Sequence, residues 1–133
     1  MLEPLSGYFT LLGRLLGEDP KRWCGGWNFG PRDDDDVTVG EIASTVATAL
    51  GAAPCSFPDQ AGAVHEAHHL RLSIEKARRE LDWAPRWSLP VALEHTVAWY
   101  RAHHEGIRGA ELRARCHADI AAYEAAGAAG GTT

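Results

Sequence analysis

Basic residues are in the minority in this chain: 13 Lys+Arg stand against 18 Asp+Glu, a formal charge of −5 over 133 residues. Phosphate backbones are held by basic surfaces, so nucleic acid is not an expected partner. Long apolar runs are missing too. None approaches the roughly 20 residues that span a bilayer, so no membrane partner is expected either. The opening Met1-Leu2-Glu3-Pro4 has no basic stretch leading into an apolar one, so no secretory leader is expected. Cysteines are few and odd in number. Cys24, Cys55 and Cys116 lie far apart, which fits reduced thiols in a cytoplasmic protein better than a disulfide framework.

Several motifs are absent, and each absence removes a function class. No two glycines are spaced G-x-G, so there is no dinucleotide-binding fingerprint. The segment Gly25 to Gly30 runs into Pro31-Arg32 and not into Lys-Ser/Thr, so it is no phosphate-cradling loop. G-x-S-x-G does not occur. None of Tyr8, Tyr100 and Tyr123 has a lysine four residues later. The sequence therefore assigns no catalytic residue and no cofactor-binding residue within this chain. The seven histidines and three cysteines include no C-x-x-C and no four ligands at converging spacings, so no metal site is assigned.

What is present reads as one globular region. Apolar residues at 45% and charged residues at 23% are ordinary for a folded domain. A first helix is expected over residues 4–16, with Leu5, Tyr8, Phe9, Leu12, Leu15 and Leu16 on one core-facing side and Gly17 as its stop. Asp33 to Asp36 lacks the glycine and glutamate of a calcium loop and reads as a solvated stretch before a helix. That helix is announced by Thr38 and Glu41, a T-x-x-E capping box, and ended by Gly51, with Val39, Ile42, Ala43, Val46 and Leu50 as its buried stripe.

Ser73 is the expected cap of a third helix carrying Ile74, Ala77 and Leu81, with Glu75–Arg79 and Lys76–Glu80 as i, i+4 pairs. Pro85 breaks it, Ser88 caps a fourth helix to about His104, and a fifth spans Ala110 to Ala126 with Leu112, Cys116, Ile120 and Tyr123 inward. Short strands are expected at Trp27–Phe29, Cys55–Phe57 and Leu70–Leu72. The fold class is thus α+β and mostly helical: about five helices with two or three short strands, over residues 1–126, followed by a disordered tail at 127–133.

The densest polar cluster is His65-Glu66-Ala67-His68-His69, where a loop enters an expected strand. His65, Glu66 and His68 are candidate ligand-binding residues, able to hydrogen-bond sugar hydroxyls or a phosphate edge, and the competing reading is a solvated polar loop. Five tryptophans is a high count. Trp83, Trp87 and Trp99 lie where aromatic clamps would fix helix packing.

The order of these pieces resembles a known family. Asn28-Phe29-Gly30-Pro31, His65-Glu66-Ala67-His68, Leu81-Asp82-Trp83-Ala84-Pro85-Arg86-Trp87-Ser88-Leu89 and Thr96-Val97-Ala98-Trp99-Tyr100 resemble the C-terminal substrate-binding part of extended short-chain dehydrogenase/reductases, the NAD-dependent epimerases and dehydratases of nucleotide sugars. His-Glu-Ala-His, with Glu3-Pro4-Leu5-Ser6-Gly7-Tyr8, is more similar to the CDP-glucose 4,6-dehydratase branch, lyases of deoxysugar biosynthesis. The likeness covers residues 2 to 125. It implies a parent enzyme that binds NAD in an N-terminal Rossmann domain and works through a Tyr-x-x-x-Lys pair, both absent here. This chain then contributes to sugar-nucleotide binding, with Asn28 added to His65, Glu66 and His68, and is not competent alone. Its partner is a CDP-hexose once a Rossmann half complements it; self-association is the other expectation. A non-enzymatic remnant or partner-binding helical domain is the alternative reading.

Three departures from the family pattern stand out. Ser73 replaces the aspartate that opens the third helix. Ala63-Val64-His65-Glu66 stands where many members have Arg-Pro-Gly-Asp. Asp82 stands where Leu-Gly-Trp is usual, which places any left-handed cap on an aspartate.

Overall fold

The computed structural model describes residues 1–32, 37–53, 55–56 and 72–129. The described residues form α1 (Leu2–Leu15), a 3-10 turn (Pro20–Trp23), α2 (Val39–Leu50), α3 (Glu75–Leu81), α4 (Leu89–His104) and α5 (Gly109–Ala129). The helical content agrees with the expectation, but no strand is present among these residues. That corrects the α+β class.

The reason is visible where strands were expected. Residues 27–30 and 72–74 carry no regular secondary structure but lie close together: a Cβ added at Gly30 would meet Leu72 at 3.3 Å. They are joined through a side chain, Asn28 Nδ2 donating to the Ser73 carbonyl at 3.2 Å, and not through a backbone ladder. Neighbouring segments without a ladder do not make a sheet. Cys55 and Ser56 are irregular, and Phe57, Leu70 and Arg71 lie outside the described residues, as does the acidic run Asp33 to Asp36.

Local chemistry accounts for both ends of α2 and the C-terminal end of α3. Thr38 Oγ1 accepts from the Glu41 amide while the Glu41 carboxylate accepts from the Thr38 amide at 2.7 Å, so the capping box is formed. Gly51 closes α2 in the left-handed conformation, φ 68°. Asp82 closes α3 the same way at φ 54°, a position glycine fills without strain. Ser73 is not a cap: the N-cap of α3 is Ile74, with no side-chain bond. The expected i, i+4 pairs do not form as read. Glu75 pairs with Arg78 at 3.7 Å, Arg79 with Glu80 at 2.8 Å, and Lys76 donates to the Gly26 carbonyl at 3.0 Å. α5 continues to Ala129, and residues 130–133 lie outside the described set.

Two packed regions meet at a polar clasp. In the first, Ile74, Ala77, Leu81 and Trp83 form a buried cluster, with Leu11, Trp23, Trp27 and Phe29 packed against it. In the second, Val97 and Ala102 of α4 and Ala47 of α2 are buried, with α5 on the other side of α4. α1 corrects the sequence reading in one respect. Of the residues expected to face the core, Leu5, Tyr8, Phe9, Leu12 and Leu16 are exposed and only Leu15 is half-buried, although Tyr8 still packs edge-on to the Phe29 ring. The inward side carries Gly7, so tightly covered that a Cβ there would lie 2.2 Å from the Phe29 ring. Periodicity located the stripe; the small residue and the polar clasp decided which side turned in.

Candidate functional site

Of the residues singled out from sequence, His65, Glu66 and His68 lie outside the described residues. Asn28 is exposed and spends its amide on Ser73. Beside it, Lys76 Nζ sits 4.0 Å from the centroid of the Trp27 ring, and Arg22 stacks 4.9 Å from that of Trp23. Asn28 thus ties two irregular segments together at a cation-rimmed aromatic edge.

A separate concavity lies elsewhere. A groove of ≈ 430 Å³ runs between the start of α1, α4 and α5, lined largely by apolar and aromatic groups including Trp87, Trp99, Tyr100 and Ile120. That volume is in the range of small-molecule sites. Its polar feature is a pair: His95 Nδ1 lies 2.7 Å from Asp119 Oδ1. His95 also stacks on Trp87, ring centroids 4.2 Å apart. Asp119 fixes the orientation of the imidazole through its Nδ1. Trp99 Nε1 donates to Cys116 Sγ at 3.2 Å. The groove can stack a planar ring and offer it one fixed hydrogen-bonding edge. Sequence reasoning missed it, although Cys116 and Ile120 were expected to face inward and Asp119 lies between them.

The clasp borders this groove. The Glu3 carboxylate accepts from the amides of Arg86 (3.0 Å) and Trp87 (2.7 Å) and from the Tyr123 hydroxyl (2.6 Å). Ser6 Oγ accepts from Trp83 Nε1 at 2.9 Å and lies 2.9 Å from Tyr123 Oη. Burial, reinforced by the hydrogen bond to Glu3, pushes the Tyr123 phenol up to about 12. Such a phenol is a held proton donor. No lysine partners it by spacing, so it is a structural bond and not an acid–base device.

The described residues fit neither a dinucleotide nor a metal. The glycine-rich stretch leads into irregular backbone at residues 27–32 and not into a helix N-terminus, and the space above Gly30 is filled by Leu72 and Ile74. No three His, Cys, Asp or Glu side chains converge among the described residues. Cys24, Cys55 and Cys116 are free thiols. No helix among these residues is long and apolar enough to cross a membrane.

The described structure is therefore a helical domain with a groove between the start of α1, α4 and α5. No protein-family model matches the chain. A CDP-glucose 4,6-dehydratase of Salmonella typhimurium is 40% identical over 126 residues, which is 95% of this chain and 34% of that enzyme. The chain is thus close in sequence to CDP-glucose 4,6-dehydratase, and it spans about a third of the length of that curated relative.

Proposed function

We propose that this chain is the sugar-nucleotide-side part of a CDP-glucose 4,6-dehydratase-like enzyme and is not competent by itself. The observation that carries the reading is 40% identity sustained across 95% of the chain with an enzyme of that activity. The missing dinucleotide fingerprint and Tyr-x-x-x-Lys pair support the second clause. In this reading NAD and the catalytic groups come from the portion that the chain does not span, and His65, Glu66, His68 and Asn28 hold the CDP-hexose. The assembled enzyme works in the cytoplasm. Hydride transfer needs cofactor and sugar held against each other, and positioning fails when one holder is absent.

The test is a chimera. The matched segment of the Salmonella relative is replaced by this chain, and the 4-keto-6-deoxy product is followed from CDP-glucose. Turnover by the chimera, with none from the isolated chain under the same conditions, is the expected result. A folded chimera without turnover contradicts the reading.

A further inference from the structure

Several aromatic rings of this fold carry a cation that the chain itself supplies. Arg14 and Arg22 lie 5.4 and 4.9 Å from the centroid of Trp23, Lys76 sits 4.0 Å from that of Trp27, and Arg86 5.0 Å from that of Tyr123. The groove between the start of α1, α4 and α5 differs. Trp87, Trp99 and Tyr100 line it, and among the described residues no lysine or arginine does. The acidic groups on its wall are Glu3 and Asp119, and its basic side chain, His95, is bonded to Asp119 through Nδ1 at 2.7 Å. Met1 at its rim is 96% exposed, so water screens the amino group there. The net charge of −5 makes the wider surface negative as well.

The walls of the groove are held in place. Trp87 stacks on His95 and Trp99 on His103, ring centroids 4.2 and 5.4 Å apart, and Trp99 Nε1 donates to Cys116 Sγ at 3.2 Å. Rings already fixed lose little freedom when a ligand arrives. Tyr100 of α4 and Ile120 of α5 line the groove and remain 60% and 42% exposed, apolar surface that a ligand would take out of water. An aromatic face attracts a cation through its quadrupole, and the carboxylates add Coulomb attraction. An anion meets repulsion from both. We propose that this groove is a binding site for a small organic cation with an apolar body, of the alkyl- or arylammonium class, separate from the place of the anionic CDP-hexose. The proposal does not depend on the dehydratase reading.

A set of probes built on one phenyl ring tests it: cationic phenyltrimethylammonium, neutral N,N-dimethylaniline and anionic benzenesulfonate. Each is titrated at neutral pH into the 15N-labelled chain while the tryptophan indole N–H signals are followed. The Trp99 signal is expected to shift saturably with the cation, about tenfold more tightly than with dimethylaniline, and not to saturate with benzenesulfonate. The Trp23 signal, whose ring already carries Arg14 and Arg22, is expected to stay in place. Asp119→Asn keeps the shape of the side chain and removes its charge; the cation's lead over dimethylaniline is expected to fall about threefold or more. Tyr100→Ala, at an exposed position, is expected to keep helix content and to weaken cation binding about threefold or more. Equal affinity for cation and neutral probe overturns the proposal, as does a cation that shifts Trp23 and not Trp99, or one that does not saturate. If Asp119→Asn unfolds the chain, Tyr100→Ala decides: an unchanged affinity for the cation overturns the site.

Discussion

The hydroxyl of Tyr123 donates a 2.6 Å hydrogen bond to the carboxylate of Glu3, 120 residues earlier in the chain. This contact joins the first helix to the last, and Glu3 holds the turn between α3 and α4 at the same time through the amides of Arg86 and Trp87. Removing the carboxylate leaves three donors without their acceptor. Glu3→Ala is expected to cost about 2–3 kcal/mol, because half-buried donors left unsatisfied each carry a desolvation penalty. Urea unfolding with an unchanged slope reads this as stability and not as altered compactness.

Tyr123 also makes stability depend on pH. The unfolded phenol ionises near 10, whereas the folded one keeps its proton to about 12 because it is buried and donates to Glu3. Between these values the unfolded chain binds fewer protons than the folded one, so stability falls as pH rises. The contribution is whole below pH 10 and spent above 12, with a slope of at most about 1.4 kcal/mol per pH unit. Tyr123→Phe is expected to remove this component of the slope. An identical pH dependence in wild type and variant between pH 10 and 12 would place the Tyr123 phenol in water.

Gly7 and the Phe29 ring test the packing of the first region. A methyl group at Gly7 would lie 2.2 Å from a ring carbon whose ring in turn sits edge-on to Trp83, centroids 4.9 Å apart. Gly7→Ala gains helix propensity of up to about 1 kcal/mol, but forcing the ring aside costs about 1–3 kcal/mol. A net loss of stability is expected. A gain would mean that the ring is free to move away.

Asp82 holds a left-handed backbone, φ 54°, where glycine carries no steric penalty. Asp82→Gly is expected to stabilise the chain by about 0.5–1 kcal/mol, measured by the same unfolding curves. Loss of stability would give the aspartate a role beyond capping.

What the sequence made legible was local. The Thr38–Glu41 box and Gly51 are decided within α2 itself, and Ile74, Ala77 and Leu81 share a face at helical spacing and are all buried. The family resemblance, with glycine usual where Asp82 stands, put any left-handed cap on this aspartate, and it is there. The strands failed because apolar alternation at Trp27–Phe29 does not reveal whether a partner strand exists, and the neighbouring segment bonds to it through the Asn28 side chain and not through a backbone ladder. α1 failed by a half-turn in meaning: periodicity marked the stripe at Leu5 to Leu16 but could not say what covers it. The Glu3–Tyr123 bond and the His95–Asp119 pair join residues with no shared local signal, so neither was readable in advance. The polar cluster His65, Glu66 and His68 lies outside the described residues, and the chimera bearing His65→Ala with Glu66→Ala is expected to show weakened affinity for CDP-glucose; an unchanged KM would return these residues to a solvated loop.

The central claim is that this chain is one part of a nucleotide-sugar dehydratase and inert without the other. Product formation from CDP-glucose and NAD, measured side by side for the isolated chain and for the full-length chimera, tests it most directly. The account predicts 4-keto-6-deoxy product from the chimera alone. Product from the isolated chain, or none from a chimera whose circular dichroism shows it folded, would contradict it.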